Sequence, residues 1–522
     1  MLFRPDEPPH STLVAAAPDA QPIAWRLLLI PAMVQLLLHL LTNGRYGIFR
    51  DEYYYLACSS HLAWGYVDQP PLSIWLLAAW KTIFGDSVHA LRLLPALCGS
   101  GLIVLTGAIA AQMGGKRWAQ LFAGLAVAVG AAGLVIAGFY SMNAFDLLFW
   151  AGAYYLLVRI TRTGDGRWWL WLGLLLGVGL MNKIGLLVFG LVLALGLVLT
   201  QHRRHFLDRR LWLAGALAAA FLVPYVLWNA IHDWPTLEFI QNAKRYKISD
   251  LSPFDFLTES ILEANPMTLP LWLGGLVWLL VARPARQFRL IGLMFALTFV
   301  VLVIQKSKPY YFAASFPVLM AAGGVAWEGW TAGQRWRWGR WVLAANLIAG
   351  GVVFAPMAVP LLSPEKSIAY QQRLGIIPNT AEVGHTSALP QYFSDRFGWE
   401  ELAQAVAEVY ESLSPEDRSQ CVIWARNYGQ AGALEYWSHR YELPPVACVH
   451  NNYWLWGPPA GDGEVVIVVT FARETLESVF EEVLPVREAI TPFALESRMQ
   501  IWLCRSMRHP MQLVWDELKM FI

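Results

Sequence analysis

Long apolar stretches separated by short polar turns fill this chain as far as residue 362, and beyond that point the pattern changes. Stretches near 22–42, 89–112, 118–139, 145–160, 168–181, 184–200, 211–230, 269–282, 289–304, 311–329 and 340–361 approach the length of a bilayer crossing. A crossing needs roughly 17–25 such residues, and fewer where neighbouring helices shelter a short one. The pattern predicts a polytopic α-helical membrane protein with about eleven spans. After Ser363 the apolar residues come in short runs instead. "QCVIWARNYGQAGALEYW" reads as a buried strand, a glycine-containing loop and an amphipathic helix, and "EVVIVVTFARETLESVFEEV" repeats the series. Such alternation predicts a small α/β domain over 363–522. Residues 1–21 form a polar, Pro-rich segment, 22–362 the membrane part, and 43–88 its first long loop. The apolar run that starts at Ile23 exceeds a signal-peptide core and is followed by no small-residue cleavage site, so it reads as a retained span.

Charge then orients the spans. "GGKR" (114–117), "TRTGDGR" (161–167), "QHRRHFLDRR" (201–210), "ARPARQFR" (282–289) and "GQRWRWGR" (333–340) all fall on one side if the N-terminus is cytoplasmic. The opposite side receives the 43–88 loop, "FYSMN" (139–143), Lys183, the loop 231–268, "KSKPYY" (306–311) and everything after Ser363.

Composition agrees. Of 522 residues, 56% are hydrophobic and only 15% charged, where soluble domains carry about 25%. A net charge of +1 points away from a nucleic-acid partner. Five cysteines show neither metal-ligand spacing nor a disulfide framework, although Cys421 and Cys448 could pair in an oxidising compartment.

Candidate chemistry gathers on the outer side. "GRYGIFRDEYYYLACSSHLAWGYVDQPPL" (44–72) places Arg50, Asp51 and Glu52 at headgroup depth, where charges need a partner or a task. Neighbours on a helix point about 100° apart, so Asp51 and Glu52 cannot share one role. A carboxylate there can serve as general base toward a hydroxyl; equally, Asp51 can cap the next helix and pair with Arg50 or Arg92. Asn143, Asp146, Lys183, Lys306 and Lys308 lie in other outer turns, and Arg92 enters the second span from that side. Cations of this kind suit a phosphate. Short interfacial helices are expected over 51–66 and 70–84, with Pro71 at a first helical position and Tyr53, Tyr54, Tyr55, Trp64, Trp75 and Trp80 as interfacial anchors. His61 reads as a hydrogen-bonded structural residue in preference to a metal ligand.

The first-loop sequence, followed by "ALRLLPALCGS", "YSMNAFDLLFW", "GLMNKIGLL", "WNAIHDWPTLEF" and "KSKPYYFAASFPVLMAAGG", resembles the family-39 glycosyltransferases. These include bacterial relatives of the dolichyl-phosphate-mannose protein mannosyltransferases and the aminoarabinose transferases of lipid A. The resemblance covers roughly residues 22–330 and implies the GT-C architecture, with a donor sugar carried on a polyprenyl phosphate. It implies Asp51 as catalytic base, Glu52 as a neighbour ordering the active-site network, and Arg92, Lys308 and Lys183 at the donor phosphate. Asn143, Asp146, Tyr310, Tyr311 and His61 follow as cavity or substrate support. No cofactor is required, and no metal is indicated. The implied partners are the lipid-linked donor, a lipid, glycan or protein acceptor, and membrane lipid, and the implied place is a bacterial inner membrane with the C-terminal domain periplasmic. A transporter or flippase is the competing reading, opposed by charges that gather at one face and by the expected lack of paired broken helices.

Overall fold

A computed structural model of the chain describes residues 19–248, 250–376, 387–459 and 463–522. Among these, seven helices are long and apolar enough to cross a membrane: Trp25–Thr42, Val88–Gln112, Met142–Thr163, Arg209–Ile231, Arg283–Ile304, Pro309–Trp330 and Gln334–Ala358. Two bent pairs bring the number to nine, Ile184–Leu199 with Gln201–Leu207 and Pro253–Glu263 with Pro266–Val281. The expected eleven is not reached, for two physical reasons. The stretch near 118–139 breaks at Gly130 into Arg117–Ala128 and Ala131–Ile136, and Arg167–Leu180 has only 14 residues. Prolines 31, 95, 224 and 356 lie inside long helices, where neighbouring helices can satisfy the freed backbone groups.

Small residues bring the helices together, as they must where lipid offers no hydrophobic drive to association. A side chain at Gly275 would strike the backbone of Leu319, and one at Gly323 the backbone of Leu271, so Leu269–Val281 and Phe316–Trp330 touch main chain to main chain. Outside the bundle the first loop forms two helices, Arg50–Ser60 and Leu72–Phe84. The first is shorter than expected because residues 61–71 leave helical geometry, and Pro71 is the cap of the second, one position earlier than anticipated.

The C-terminal part holds a five-stranded sheet of β1 (Cys421–Ala425), β2 (Val446–Cys448), β3 (Val465–Val469), β4 (Phe480–Ile490) and β5 (Arg498–Met507), in the order β2-β1-β3-β5-β4. The first three are parallel, and β5 runs antiparallel to both its neighbours. Every residue of β1 and β3 is buried, as expected of central parallel strands covered on both faces. The expected second strand–helix unit is present but ends early: the helix is Arg473–Val479, and "FEEV" begins β4. All five cysteines are free and buried. Cys448 pairs with Ala425 in register while Cys421 lies at the far end of β1, about 13 Å away at the rise of a strand, so no Cys421–Cys448 disulfide forms.

Candidate active site

The acidic pair sits in the first turn of the helix Arg50–Ser60, and the two carboxylates part company there. Glu52 is fully buried. It accepts from the Phe49 and Tyr140 amides, both at 2.8 Å, and from Arg92 Nη2 at 2.7 Å. Arg92 is equally buried and also donates to the carbonyls of Asn43 and Gly47. This arrangement lends no support to the expected phosphate role of Arg92. Its guanidinium is committed to Glu52 and two backbone oxygens, and it folds the first loop back onto the second span. Glu52 correspondingly orders the loop without reaching the surface.

Asp51 faces outward, with 36% of its side chain exposed. Its Oδ1 accepts a 2.9 Å hydrogen bond from the Tyr428 hydroxyl and lies 3.6 Å from Arg50 Nε. Arg50 in turn approaches Asp395 at 3.6 Å. Asp51 is therefore paired with Arg50 as one reading anticipated, but it is not the helix cap, a place taken by Phe49.

A second cluster gathers residues from three separate sequence stretches. Lys183 Nζ donates to Asn143 Oδ1 at 2.8 Å, lies 3.4 Å from Asp146, and stands 4.3 Å from the centre of the Tyr311 ring and 5.8 Å from that of Tyr310. Asp146 Oδ1 is buried and has no hydrogen-bond partner among the described residues. Lys308 and Lys247 add to the positive field on Tyr311. The clusters connect through the outer helix. Tyr55, one turn after Asp51, accepts from the amide of Met142, the residue before Asn143. Lys306 stands apart, paired at 2.6 Å with exposed Asp250.

Other expectations change. Tyr53, Tyr54 and Tyr55 are no headgroup anchors but are buried to within 4% exposure. Tyr53 packs on Trp399 and Tyr436, and Tyr54 lies 3.0 Å from Asn452 Oδ1 and 3.1 Å from Asp68 Oδ1. His61 lies outside both clusters, stacked on Trp456 at 4.2 Å. Sequence reading missed Asp68 and Lys247, and it did not place Tyr428, in the stretch "NYGQAGALEYW", beside Asp51. Asp68 feels the charges of both Asp51 and Lys247, and burial pushes its carboxyl up to about 6. A carboxylate in the same "VDQPPL" turn was the available signal for Asp68; nothing local marks Lys247.

Residues 68–228 match the family described as dolichyl-phosphate-mannose-protein mannosyltransferase. No curated protein matches in a sequence comparison. Among solved structures, the fold is similar to that of ArnT from Cupriavidus metallidurans in the apo state, with TM-score 0.62 and 16% identity over 92% of this chain and 98% of that one. The same protein bound to undecaprenyl phosphate gives 0.61 at the same identity and coverage. The archaeal oligosaccharyltransferase AglB from Archaeoglobus fulgidus, in complex with an inhibitory peptide and a dolichol-phosphate, gives 0.50 with 12% identity over 80% of this chain and 64% of that one. Residues 68–228 of this multi-pass membrane protein are thus similar to a mannosyltransferase family, and its fold is similar to that of ArnT over nearly the whole length of both chains.

Proposed function

We propose that the protein is an inverting glycosyltransferase that moves a sugar from a polyprenyl-phosphate carrier to a hydroxyl of a lipid, glycan or protein on the outer face of a bacterial inner membrane. The observation that carries the reading is one outward-facing carboxylate, Asp51, on the helix whose Tyr55 hydrogen-bonds to the Met142 amide, next to the cation and aromatic cluster of Asn143, Lys183 and Tyr311. The related ArnT structure with bound undecaprenyl phosphate supports the donor class.

In this reading the acceptor oxygen attacks the anomeric carbon while the bond from that carbon to the phosphate oxygen breaks. The transition state resembles an oxocarbenium ion, as in glycoside hydrolysis. The lipid phosphate leaves with the bonding electrons and needs no general acid, because it is already acidic. Lys183, Lys308 and Lys247 meet its charge in a water-poor site, where fixed cations act best. Asp51 takes the acceptor's proton. Asn143, held by Lys183, and Asp146, with its unpartnered oxygen, contact sugar hydroxyls. The scheme requires no cofactor or metal, and turnover in the presence of a chelator tests that point directly.

The transport reading gains one observation, the two bent helix pairs. Their breaks fall at Thr200, beside the basic loop, and at Ala264–Asn265, beside the outer loop. A carrier built on broken helices would place them near the midplane, so the bends do not favour it.

The test compares envelope lipids, glycans and proteins of a deletion strain with those of its parent by mass spectrometry, and restores the gene as wild type or Asp51→Asn. The expected outcome is one glycoform lost on deletion, recovered with wild type and not with a folded, inserted Asp51→Asn. Near-normal product from Asp51→Asn would remove the base assignment, and an unchanged glycan inventory would remove the transferase reading.

A further inference from the structure

The C-terminal domain meets the Asp51 carboxylate through the Tyr428 hydroxyl. The helix Tyr428–Tyr441 lies along the outer helix Arg50–Ser60 with its N-terminal residue against Asp51. Close approach is built into its sequence. A side chain at Gly429 would strike Arg50, and a Cβ at Gly432 would lie 2.9 Å from the Tyr53 main chain. Asn427 caps the helix, its Oδ1 accepting from the amides of Gly429 and Gln430 at 2.9 and 3.0 Å. The Tyr428 ring is held on three sides, 4.8 Å from Tyr54, 4.7 Å from His450, and with the Arg50 guanidinium 5.7 Å from its centre. Its hydroxyl donates to Asp51 Oδ1, the same oxygen that Arg50 approaches.

We propose that Tyr428 is a positioning residue for the Asp51 base, supplied by the C-terminal domain. The hydroxyl on Oδ1, with the guanidinium beside it, fixes the rotation of the carboxylate and leaves Oδ2 to receive the acceptor's proton. The domain is then part of the catalytic apparatus. This inference rests on the reading of Asp51 as base given above. The ring contacts belong to the fold, whereas the hydroxyl acts on the carboxylate, so Tyr428→Phe separates the two.

The experiment uses the full-length protein. Turnover is read as the rate of appearance of the mass-identified product in membranes of the complemented deletion strain. Undecaprenyl phosphate is the binding probe, and the thermal unfolding midpoint reports on the fold. Tyr428→Phe should slow product formation roughly ten- to hundredfold, the range for one hydrogen bond to a charged group, with probe affinity and midpoint unchanged. A rate within twofold of wild type, beside an inactive Asp51→Asn, would overturn this role for Tyr428 and leave the base assignment standing. An active Asp51→Asn would remove the base itself. Slower product together with lost probe binding or a lowered midpoint would make Tyr428 a packing residue, and would overturn the proposal too.

Discussion

Asp51 and Glu52 are chemically near-identical neighbours, and one step along a helix sends them to different surroundings. Glu52 turns inward to Arg92, where both are withdrawn from water. Removing one member of such a buried pair leaves an uncompensated charge, at a cost of roughly 3–5 kcal/mol. Arg92→Ala should therefore lower the thermal midpoint and the yield of folded protein, with donor binding per folded molecule retained. Lys183→Ala should weaken binding of undecaprenyl phosphate per folded molecule, by about tenfold for one charge-assisted contact, and because it strands the buried Asp146 carboxylate it should lower the midpoint as well. The residue types and their side of the membrane were legible in the sequence, and so was the divergence of the two carboxylates. The partner of Arg92 was not, because a cation near an acidic pair and a phosphate site reads alike for either until burial is known. Asn143, Asp146, Lys183 and Tyr311 do converge, although nothing in their spacing gives the 2.8 Å contact between Lys183 and Asn143.

At the scale of the element, the helix Tyr428–Tyr441 joins the two parts. Besides its two glycines it carries Trp437, which donates to Tyr53 at 3.2 Å, and Glu435, which accepts from Tyr453 at 2.8 Å. Burial pushes Glu435 up to about 7, above its usual 4.5, despite the Tyr453 hydrogen bond. A raised carboxyl stabilises the fold fully below its unfolded value and loses that contribution as pH climbs through the folded one. Stability should accordingly fall between about pH 4.5 and 7. Glu435→Gln should flatten that slope, raising the midpoint by a few degrees at pH 8 and leaving it nearly unchanged at pH 4. A steeper slope in the variant would show that the carboxyl is not the group responsible. Gly432→Val should unseat the helix, seen as easier proteolysis of the domain and slower product formation. The sequence announced this strand–loop–helix unit and its aromatics. It could not announce the helix's partner, because a contact 377 positions away leaves no local pattern. The hairpin of β4 and β5 was hidden for another reason: "LESVFEEV" carries helical periodicity, and only pairing with β5 makes its second half a strand.

For the whole molecule, sidedness is the property most open to a direct check. With all five native cysteines buried, single cysteines introduced at exposed sites should report cleanly. Under the proposed topology, Asp250→Cys and Glu474→Cys should react with a membrane-impermeant maleimide applied from outside the membrane, and Arg203→Cys and Arg337→Cys only after lysis. The opposite pattern would turn the molecule over and move the Asp51 site to the cytoplasm. The bond between Asp51 and Tyr428 also has a consequence in time. Synthesis adds 377 residues between the two, which at about 5–20 residues per second takes roughly 20–75 s. For that interval the growing chain presents the carboxylate at the membrane surface without the hydroxyl that holds it, and the early helices insert while the pairing is still unwritten. A nascent protein cut short before residue 428 would carry every membrane-borne group of the site and lack the Tyr428 hydroxyl on Asp51, so under the proposed role of Tyr428 such a fragment should be slow even when correctly inserted.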